Sequence, residues 1–184
     1  MSLRPSVPRA GRHKAPGTAL PIIRPAEPRD LPGISRIAAE AFRGLRPASL
    51  GRRWVESCWR AFPRMRYWVA EGRPKGLFGY ILWVEKGGFR REAVLELEQI
   101  AISSKLRGQG IGSRLVQESF RQLEGSLKGR GAQVKVVEVT TGTDQGAVGF
   151  YRRNLGAQVV ARIPDLYHGD ELLLLARRPG HPPR

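Results

Sequence analysis

The sequence predicts an α/β (α+β) fold, in which one mixed and mostly antiparallel sheet of about seven strands carries helices on both faces. Two observations lead to this prediction. After two helix-like segments, the first half contains three strand-like segments separated by turn residues, which is typical of an antiparallel meander. The second half instead alternates helices with strands. The predicted order is β-α-α-β-β-β-α-β-α-β-β.

The elements of the first half follow from apolar spacing and from helix breakers. Residues 22–26 form a short strand, and a helix opens at Pro28 and ends at Gly44. A second helix follows Ser49 and is stopped by Pro63. We expect its apolar side to carry Trp54, Val55, Cys58, Trp59 and Phe62. The strands of the meander span residues 67–71, 77–85 and 93–102.

The elements of the second half begin with a glycine-rich turn and a long helix. The apolar residues on one side of this helix extend to Leu127, and the glycines in 129–131 end it. A strand rich in β-branched residues covers 134–140, and a short helix at 146–155 is capped by Gly156. The last two strands span residues 159–163 and 172–176.

The length of 184 residues fits one domain, which we place at residues 21–178. Residues 1–20 are rich in Pro, Arg and Gly and are predicted to be a disordered basic tail, and residues 179–184 a short second one. Because no apolar stretch is long enough to cross a bilayer, we expect a soluble, cytoplasmic protein without membrane contact. We expect it to be a monomer or a homodimer.

The composition limits the kinds of site and partner that we expect for this chain. Cys58 is the single cysteine and there are three histidines, so an intrachain disulfide is excluded and a metal site is not expected. Lys and Arg number 32 against 16 Asp and Glu, a net charge of +16, which suggests acidic partners. Nucleic acid is not the favoured partner, because no aromatic and basic stacking motif of a recognised kind is present.

The segment Arg107 to Gly112 has the properties of a phosphate site. It follows a predicted strand and directly precedes a helix, whose first amide groups lack internal partners and carry partial positive charge. The glycines at 108, 110 and 112 allow backbone conformations that other residues avoid, and they let a ligand approach closely. The Lys of a nucleotide-hydrolase phosphate loop is missing before Ser113, and the third glycine of a dinucleotide fingerprint is missing as well.

The flanking residues carry a family resemblance. Arg-x-x-Gly-x-Gly, after the strand that ends in Ile100-Ala101-Ile102, resembles motif A of the GNAT superfamily of acyl-CoA N-acyltransferases. The later segment Phe-Tyr-Arg-Arg-Asn-Leu-Gly-Ala at residues 150–157 resembles motif B. The resemblance covers roughly residues 21–178 and is closest in character to ribosomal-protein and N-terminal protein acetyltransferases. It implies the GNAT fold, with the sheet splayed at its central strands.

The resemblance implies where acetyl-CoA binds. The backbone of Ile100, Ala101 and Ile102 is expected to pair with the pantetheine arm like an added strand. The pyrophosphate is expected to bind at Arg107, Gly108, Gln109, Gly110, Ile111, Gly112 and Ser113. The two strands that end at Ile102 and begin at Val134 are expected to part and admit this ligand.

The resemblance also implies catalytic roles. Tyr151 lies where the family often has the acid for the leaving thiolate, although it also suits a core position beside Phe150. Glu138 and Glu98 are both candidates for the base that accepts the amine proton, and either could instead be a solvent-facing or Arg-paired residue. Tyr167 lies in a segment that resembles the substrate-covering hairpin of N-terminal acetyltransferases.

These features together predict an acetyl-CoA-dependent N-acetyltransferase that acts by direct attack in a ternary complex. The acceptor is a primary amine, either a protein N-terminus or a small molecule. The strong positive charge of the chain weighs against polyamines, because it repels cations. A non-catalytic protein that binds coenzyme A for regulation is the alternative, because a fold does not guarantee activity.

Overall fold

The computed structural model of the chain describes residues 20–72 and 76–177. Except for Leu20, the two predicted tails lie outside these residues, as does the centre of the turn at 73–75. The described strands and helices are β1 (Ile22–Pro25), α1 (Leu31–Ala41), α2 (Ala48–Arg60), β2 (Met65–Gly72), β3 (Gly76–Lys86), β4 (Glu92–Ile102), α3 (Ile111–Gly129), β5 (Gln133–Gly142), α4 (Gln145–Leu155), β6 (Gln158–Ile163) and β7 (Glu171–Arg177).

The strands form one open sheet in the order β1-β2-β3-β4-β5-β7-β6. The β4–β5 pair is parallel, and the other neighbouring pairs are antiparallel. A single parallel pair arises because the connection between β4 and β5 passes through α3, whereas turns connect the antiparallel meander. The predicted element order and the mixed, mostly antiparallel sheet are therefore confirmed.

Two hydrophobic cores lie on opposite faces of the sheet. On one face, α3 and α4 pack against side chains such as Trp83, Leu95 and Val137. On the other face, α1 and α2 pack against side chains such as Tyr67, Tyr80 and Leu82. Alternation along the strands sends neighbouring residues to opposite cores, as in Leu82 and Trp83. The prediction of helices on both faces is confirmed, and the two faces of the central strands have different surroundings.

Two details of the first half were predicted wrongly. Helix α1 ends at Ala41 rather than at Gly44, because Phe42 leaves the helical conformation and a short 3-10 turn follows. Trp54 and Phe62 are not on a buried face, since 43% and 69% of their respective areas are exposed. Helix α2 buries Gly51, Val55 and Cys58, which turns Trp54 towards its flank, and Phe62 lies beyond the end of the helix.

No helix among the described residues has the length and apolar character needed to span a bilayer.

A buried hydrogen bond ties α3 to the sheet, and its removal should lower stability. Trp83 Nε1 donates to Ser119 Oγ at 2.9 Å, and Ser119 is fully buried. Ser119→Ala leaves this indole N–H without its acceptor, so we expect the free energy of unfolding to fall by about 1–3 kcal/mol. Urea denaturation monitored by tryptophan fluorescence measures the change.

Ser126→Ala is the matched control for this prediction. Ser126 Oγ also accepts a side-chain hydrogen bond, from Arg66 Nη1 at 2.8 Å, but that bond is exposed to water. We expect its loss to change the free energy of unfolding by less than about 0.5 kcal/mol. Equal losses in the two serine variants would contradict the proposed importance of the buried bond.

Candidate functional site

Strands β4 and β5 pair over only part of their length. Their register runs from Glu92 opposite Gln133 to Glu96 opposite Glu138. Beyond this point β4 continues to Ile102 and β5 to Gly142, with no further pairing between them. The central strands therefore part in the direction of their carboxyl ends. Ligands bind at such breaks in open α/β sheets.

The backbone of β4 past the break is paired on one side only. Ile100, Ala101 and Ile102 are in register with Ile81, Tyr80 and Gly79 of β3. Their other edge faces the gap towards β5, where an extended ligand arm can bind as an added strand. One acceptor on this stretch is engaged within the chain, because Arg107 Nε donates to the carbonyl oxygen of Ile102 at 3.2 Å.

The glycine turn lies directly beyond the end of β4. Gly108 and Gly110 have φ angles of +76° and +79°, a left-handed conformation that side-chain-bearing residues rarely adopt. Space is open where a Cβ would stand at both positions. Gly112 differs, because a Cβ there would lie 3.4 Å from the Phe150 ring of α4. The first two glycines set the backbone path, and the third allows α3 and α4 to approach.

Helix α3 begins at this turn without a capping side chain. Gly110 is its N-cap residue and forms no side-chain cap hydrogen bond. The amide groups of the first turn are therefore available to an anion. Arg107 is exposed beside them. Arg114 contributes less positive charge than the sequence suggests, because its guanidinium group donates to Glu118 Oε1 at 2.7 and 2.9 Å.

Tyr151 lies on α4, on the same side of the sheet as the glycine turn. Its ring packs against the α3/α4 core together with Phe150, Ile100 and Ile102. The Tyr151 and Phe150 rings meet edge to face, with centroids 5.3 Å apart. Burial raises the pKa of the Tyr151 phenol to about 12. The phenol therefore stays protonated at neutral pH and keeps a proton that it can donate in a hydrogen bond.

Glu98 occupies an irregular position in β4. Gln99 pairs with Leu82 and Leu97 with Trp83, so Glu98 is the extra residue of a β-bulge. Bulges change the direction of a side chain, and they are over-represented next to active sites. Burial raises the pKa of the Glu98 carboxyl above its ordinary value, and the neighbouring charge of Glu96 raises it further.

Glu138 stands at the point where β4 and β5 separate, opposite Glu96. Lys86, the last residue of β3, donates to Glu138 Oε1 at 2.6 Å and lies 3.4 Å from Glu96 Oε2. Lys86 is not among the site residues predicted from the sequence. A lysine at a strand end is an ordinary feature, and only the strand register shows that it faces these two carboxylates.

The α1/α2 side of the gap contains a buried polar group. Tyr80 Oη donates to Gln99 Oε1 at 2.9 Å inside the α1/α2 core. Nearby, Cys58 is buried and beside Tyr67, and burial raises the pKa of its thiol. A thiol of raised pKa is a poor nucleophile, and the burial of Cys58 agrees with its predicted place on the apolar side of helix α2.

Tyr167 lies in the turn between β6 and β7, and 71% of its side chain is exposed. The base of this turn is closed by an ion pair between Arg162 and Asp170 at 2.5 Å. Asp170 Oδ1 also accepts from the amide of Asp165 at 3.3 Å. The turn is thus held in shape by its own residues, while the Tyr167 ring remains accessible to a ligand.

Within residues 20–72 and 76–177, no group of three or more His, Cys, Asp or Glu side chains is placed to hold a metal ion.

Comparison with known proteins gives a family match. The model of the acetyltransferase (GNAT) family matches residues 31–157, which is more than half of the chain. The match spans the break between β4 and β5, the glycine turn and Tyr151. No curated protein matches the chain in sequence.

Solved structures of several acetyltransferases share the fold. NAA60 of Arabidopsis thaliana, in complex with a bisubstrate analogue, is 17% identical with a TM-score of 0.68, over 86% of this chain and 98% of that one. An aminoglycoside 6'-N-acetyltransferase complexed with coenzyme A is 18% identical with a TM-score of 0.67, over 89% and 98%. A Vibrio cholerae spermidine N-acetyltransferase variant is 17% identical with a TM-score of 0.65, over 85% and 94%. Identities this low show the fold alone.

Proposed function

The chain belongs to the GNAT acetyltransferase family, and from this premise we propose that it transfers an acetyl group from acetyl-CoA to a primary amine by direct attack in a ternary complex. The observation that carries the proposal is the unpaired edge of β4 at Ile100–Ile102, with the uncapped start of α3 directly beyond it. An extended amide-bearing arm fits the unpaired edge of β4, and a pyrophosphate fits the start of α3 that follows it. Acetyl-CoA, as the substrate, supplies the activated acetyl thioester.

The proposed base and the proposed hydrogen-bond donor lie on opposite sides of the sheet. In addition to burial, the charge of Glu98 raises the pKa values of Cys58, Tyr67 and Tyr80, which lie on the α1/α2 side. Tyr151 packs on the α3/α4 side. In the proposed reaction the amine approaches from the side of Glu98, the new N–C bond forms in the gap, and the C–S bond breaks towards Tyr151. The amine proton passes to the carboxylate of Glu98, directly or through water.

Of the two candidate bases, we favour Glu98 over Glu138. A base near neutral pH benefits from a carboxyl pKa above the ordinary value, and burial has this effect on Glu98. Within the described residues, Glu98 forms no ion pair, whereas Glu138 is hydrogen-bonded to Lys86. Glu138 Oε1 is already engaged by the Lys86 ammonium group and is therefore less available to the amine proton.

Tyr151 acts as a hydrogen-bond donor to the leaving sulfur. Its pKa of about 12 lies above the ordinary thiol value of about 8.5. Complete proton transfer from this phenol to a thiolate is therefore unfavourable, whereas a hydrogen bond to the developing negative charge is stabilising. The proton that completes the free thiol then comes from solvent.

Local charge favours an amine acceptor despite the net charge of +16. Glu96, Glu98 and Glu138 lie near one another at the gap, and Lys86 pairs with two of these carboxylates. This surplus of negative charge attracts a protonated amine and orients it before the proton is lost. The same local charge offsets the repulsion that the net charge of the chain would exert on cationic small molecules such as polyamines. Among acceptors we favour a peptide N-terminus, because Tyr167 is accessible to cover it, with a small-molecule amine as the alternative.

The function is tested by incubating the protein with acetyl-CoA and a panel of peptides, polyamines and aminoglycosides. Free thiol is followed with a chromogenic disulfide, and the products are identified by mass spectrometry. We expect thiol release that depends on the acceptor and a mass gain of one acetyl group on an amine. Tight coenzyme A binding by calorimetry, without transfer to any acceptor, would instead support the non-catalytic alternative.

Tyr151→Phe should slow the reaction without weakening the binding of coenzyme A. The variant keeps the edge-to-face contact with Phe150, so only the hydroxyl is lost. We expect kcat to fall about 10- to 100-fold, because a hydrogen bond to a charged group contributes about 1.5–3 kcal/mol. Steady-state kinetics and calorimetric Kd values for coenzyme A check the two parts separately. An unchanged kcat would remove the proposed role of the phenol.

A further inference from the structure

Lys86 joins three strands through one ammonium group. It ends β3, while its two partners, Glu96 and Glu138, lie on β4 and β5. Its distances to the two carboxylates are 3.4 and 2.6 Å. The two glutamate side chains are 18% and 21% exposed, and the lysine side chain is 38% exposed. These side chains are sheltered enough for their charges to be screened less than those of a surface ion pair.

The position of this group in the sheet is unusual. Glu96 and Glu138 form the last registered pair between β4 and β5, after which the two strands separate. Two like charges directly opposite one another destabilise a strand pair. The parallel ladder that they terminate is also the weaker kind of pairing. Without a cation, the repulsion would act at the point where the gap begins.

We propose that Lys86 is a positioning residue, which sets the point at which β4 and β5 separate by neutralising the Glu96–Glu138 carboxylate pair. The free backbone edge of Ile100–Ile102 starts four residues after Glu96, so the position of this edge depends on where the pairing ends. The inference rests on the proposed binding of acetyl-CoA in this gap. Lys86 then acts on coenzyme A affinity through the strands, without touching the ligand.

The surrounding charges agree with this role. The hydrogen bond to Glu138 raises the pKa of Lys86 above its ordinary value despite partial burial, and Glu96 adds to the effect. Two further charged groups lie in this region. They are Glu98 on β4 and Arg64 in the turn before β2, and the positive charge of Arg64 partly offsets the effect of burial, which raises the pKa of Glu98. The Lys86 ammonium group therefore stays protonated at neutral pH.

The test compares Lys86→Met, Lys86→Arg and the double variant Lys86→Met/Glu138→Gln by calorimetry with coenzyme A. Lys86→Met keeps most of the side-chain length and removes the charge together with the hydrogen bond to Glu138. We expect it to weaken coenzyme A binding about tenfold at pH 8. Lys86→Arg and the double variant should both bind within about threefold of the wild type.

Two further measurements separate positioning from general stability. In acetylation kinetics, Lys86→Met should raise the KM for acetyl-CoA more than it lowers kcat. Amide hydrogen exchange should accelerate in β4 and β5 near Glu96 and Glu138, and it should return towards the wild-type rate in the double variant. If Lys86→Met does not fold, the double variant is still expected to fold and to bind.

The outcomes separate this inference from the proposed function. A wild-type protein that binds no coenzyme A would overturn both. Wild-type binding with equal affinity in Lys86→Met overturns only the role of Lys86. A weakened Lys86→Met variant that Glu138→Gln fails to restore also overturns it, because the effect then does not arise from the paired carboxylates.

Discussion

Glu98→Gln is expected to lower kcat about 100- to 1000-fold, while the Kd for coenzyme A changes little. The amide is nearly the same size as the carboxyl group and can still fill the β-bulge, but it does not accept a proton. Glu138→Gln should also lower kcat, but the loss should be smaller than in Glu98→Gln by a factor of about ten or more, because the Glu138 carboxylate is already bound to Lys86. A larger loss in Glu138→Gln than in Glu98→Gln would reverse the assignment of the base.

The pH dependence provides a second measure of Glu98. A general base must be ionised, so kcat/KM should rise with pH as Glu98 loses its proton. Burial raises the pKa of this carboxyl, and we therefore expect the midpoint of the rise to lie above the ordinary glutamate value of 4.5. In Glu98→Gln this limb should disappear. Glu56→Gln, on the surface of α2 and paired with Arg52, serves as the control variant.

Gly110→Val should weaken coenzyme A binding about 100-fold or more. The φ angle of +79° at this position is a conformation that a β-branched residue avoids. Valine therefore forces the chain into another path at the N-cap of α3 and turns the first amides of the helix away from the anion. Loss of two such hydrogen bonds, each about 1.5–3 kcal/mol to a charged group, accounts for this magnitude.

Gly125→Ala is the matched control for Gly110→Val. Gly125 lies in the same helix, has an ordinary helical φ, and has open space where a Cβ would stand. Alanine is the better helix former by about 1 kcal/mol, so we expect a small rise in Tm and unchanged coenzyme A affinity. Calorimetric titration and thermal unfolding of both variants check the pair. Comparable affinity in Gly110→Val and the wild type would show that the turn does not hold the ligand.

Much of the fold was predictable because its signals are local. The apolar spacing lies within each predicted segment, and the helix-breaking residues lie at its ends. Helix α3, for example, begins at Ile111 and ends at Gly129, next to the glycines that predicted its limits. The strand bounds differ from the predicted ones by one or two residues. The error at Trp54 has a different origin, because a helix has several apolar directions and only the packing of α2 on α1 and the sheet selects one. Phe62 was misplaced because α2 already ends at Arg60.

The site was predictable only in part. The glycine turn and Tyr151 could be chosen as candidates because each belongs to a compact motif in or next to a helix. Glu98 and Glu138 could not be ranked, because their sequence contexts are alike: each is a carboxylate within an apolar strand. Their environments differ through one bulge and one ion pair, and neither feature leaves a local signal.

The sequence by itself therefore determined the order of elements, the glycine turn and the family resemblance, since these depend on residues close together in the chain. The tertiary structure alone decided where β4 and β5 separate and which carboxylate is free. Lys86 and Glu138 are 52 positions apart, and their contact exists only because the sheet places β3, β4 and β5 side by side. An electrostatic interaction depends on distance in space, which the sequence does not contain.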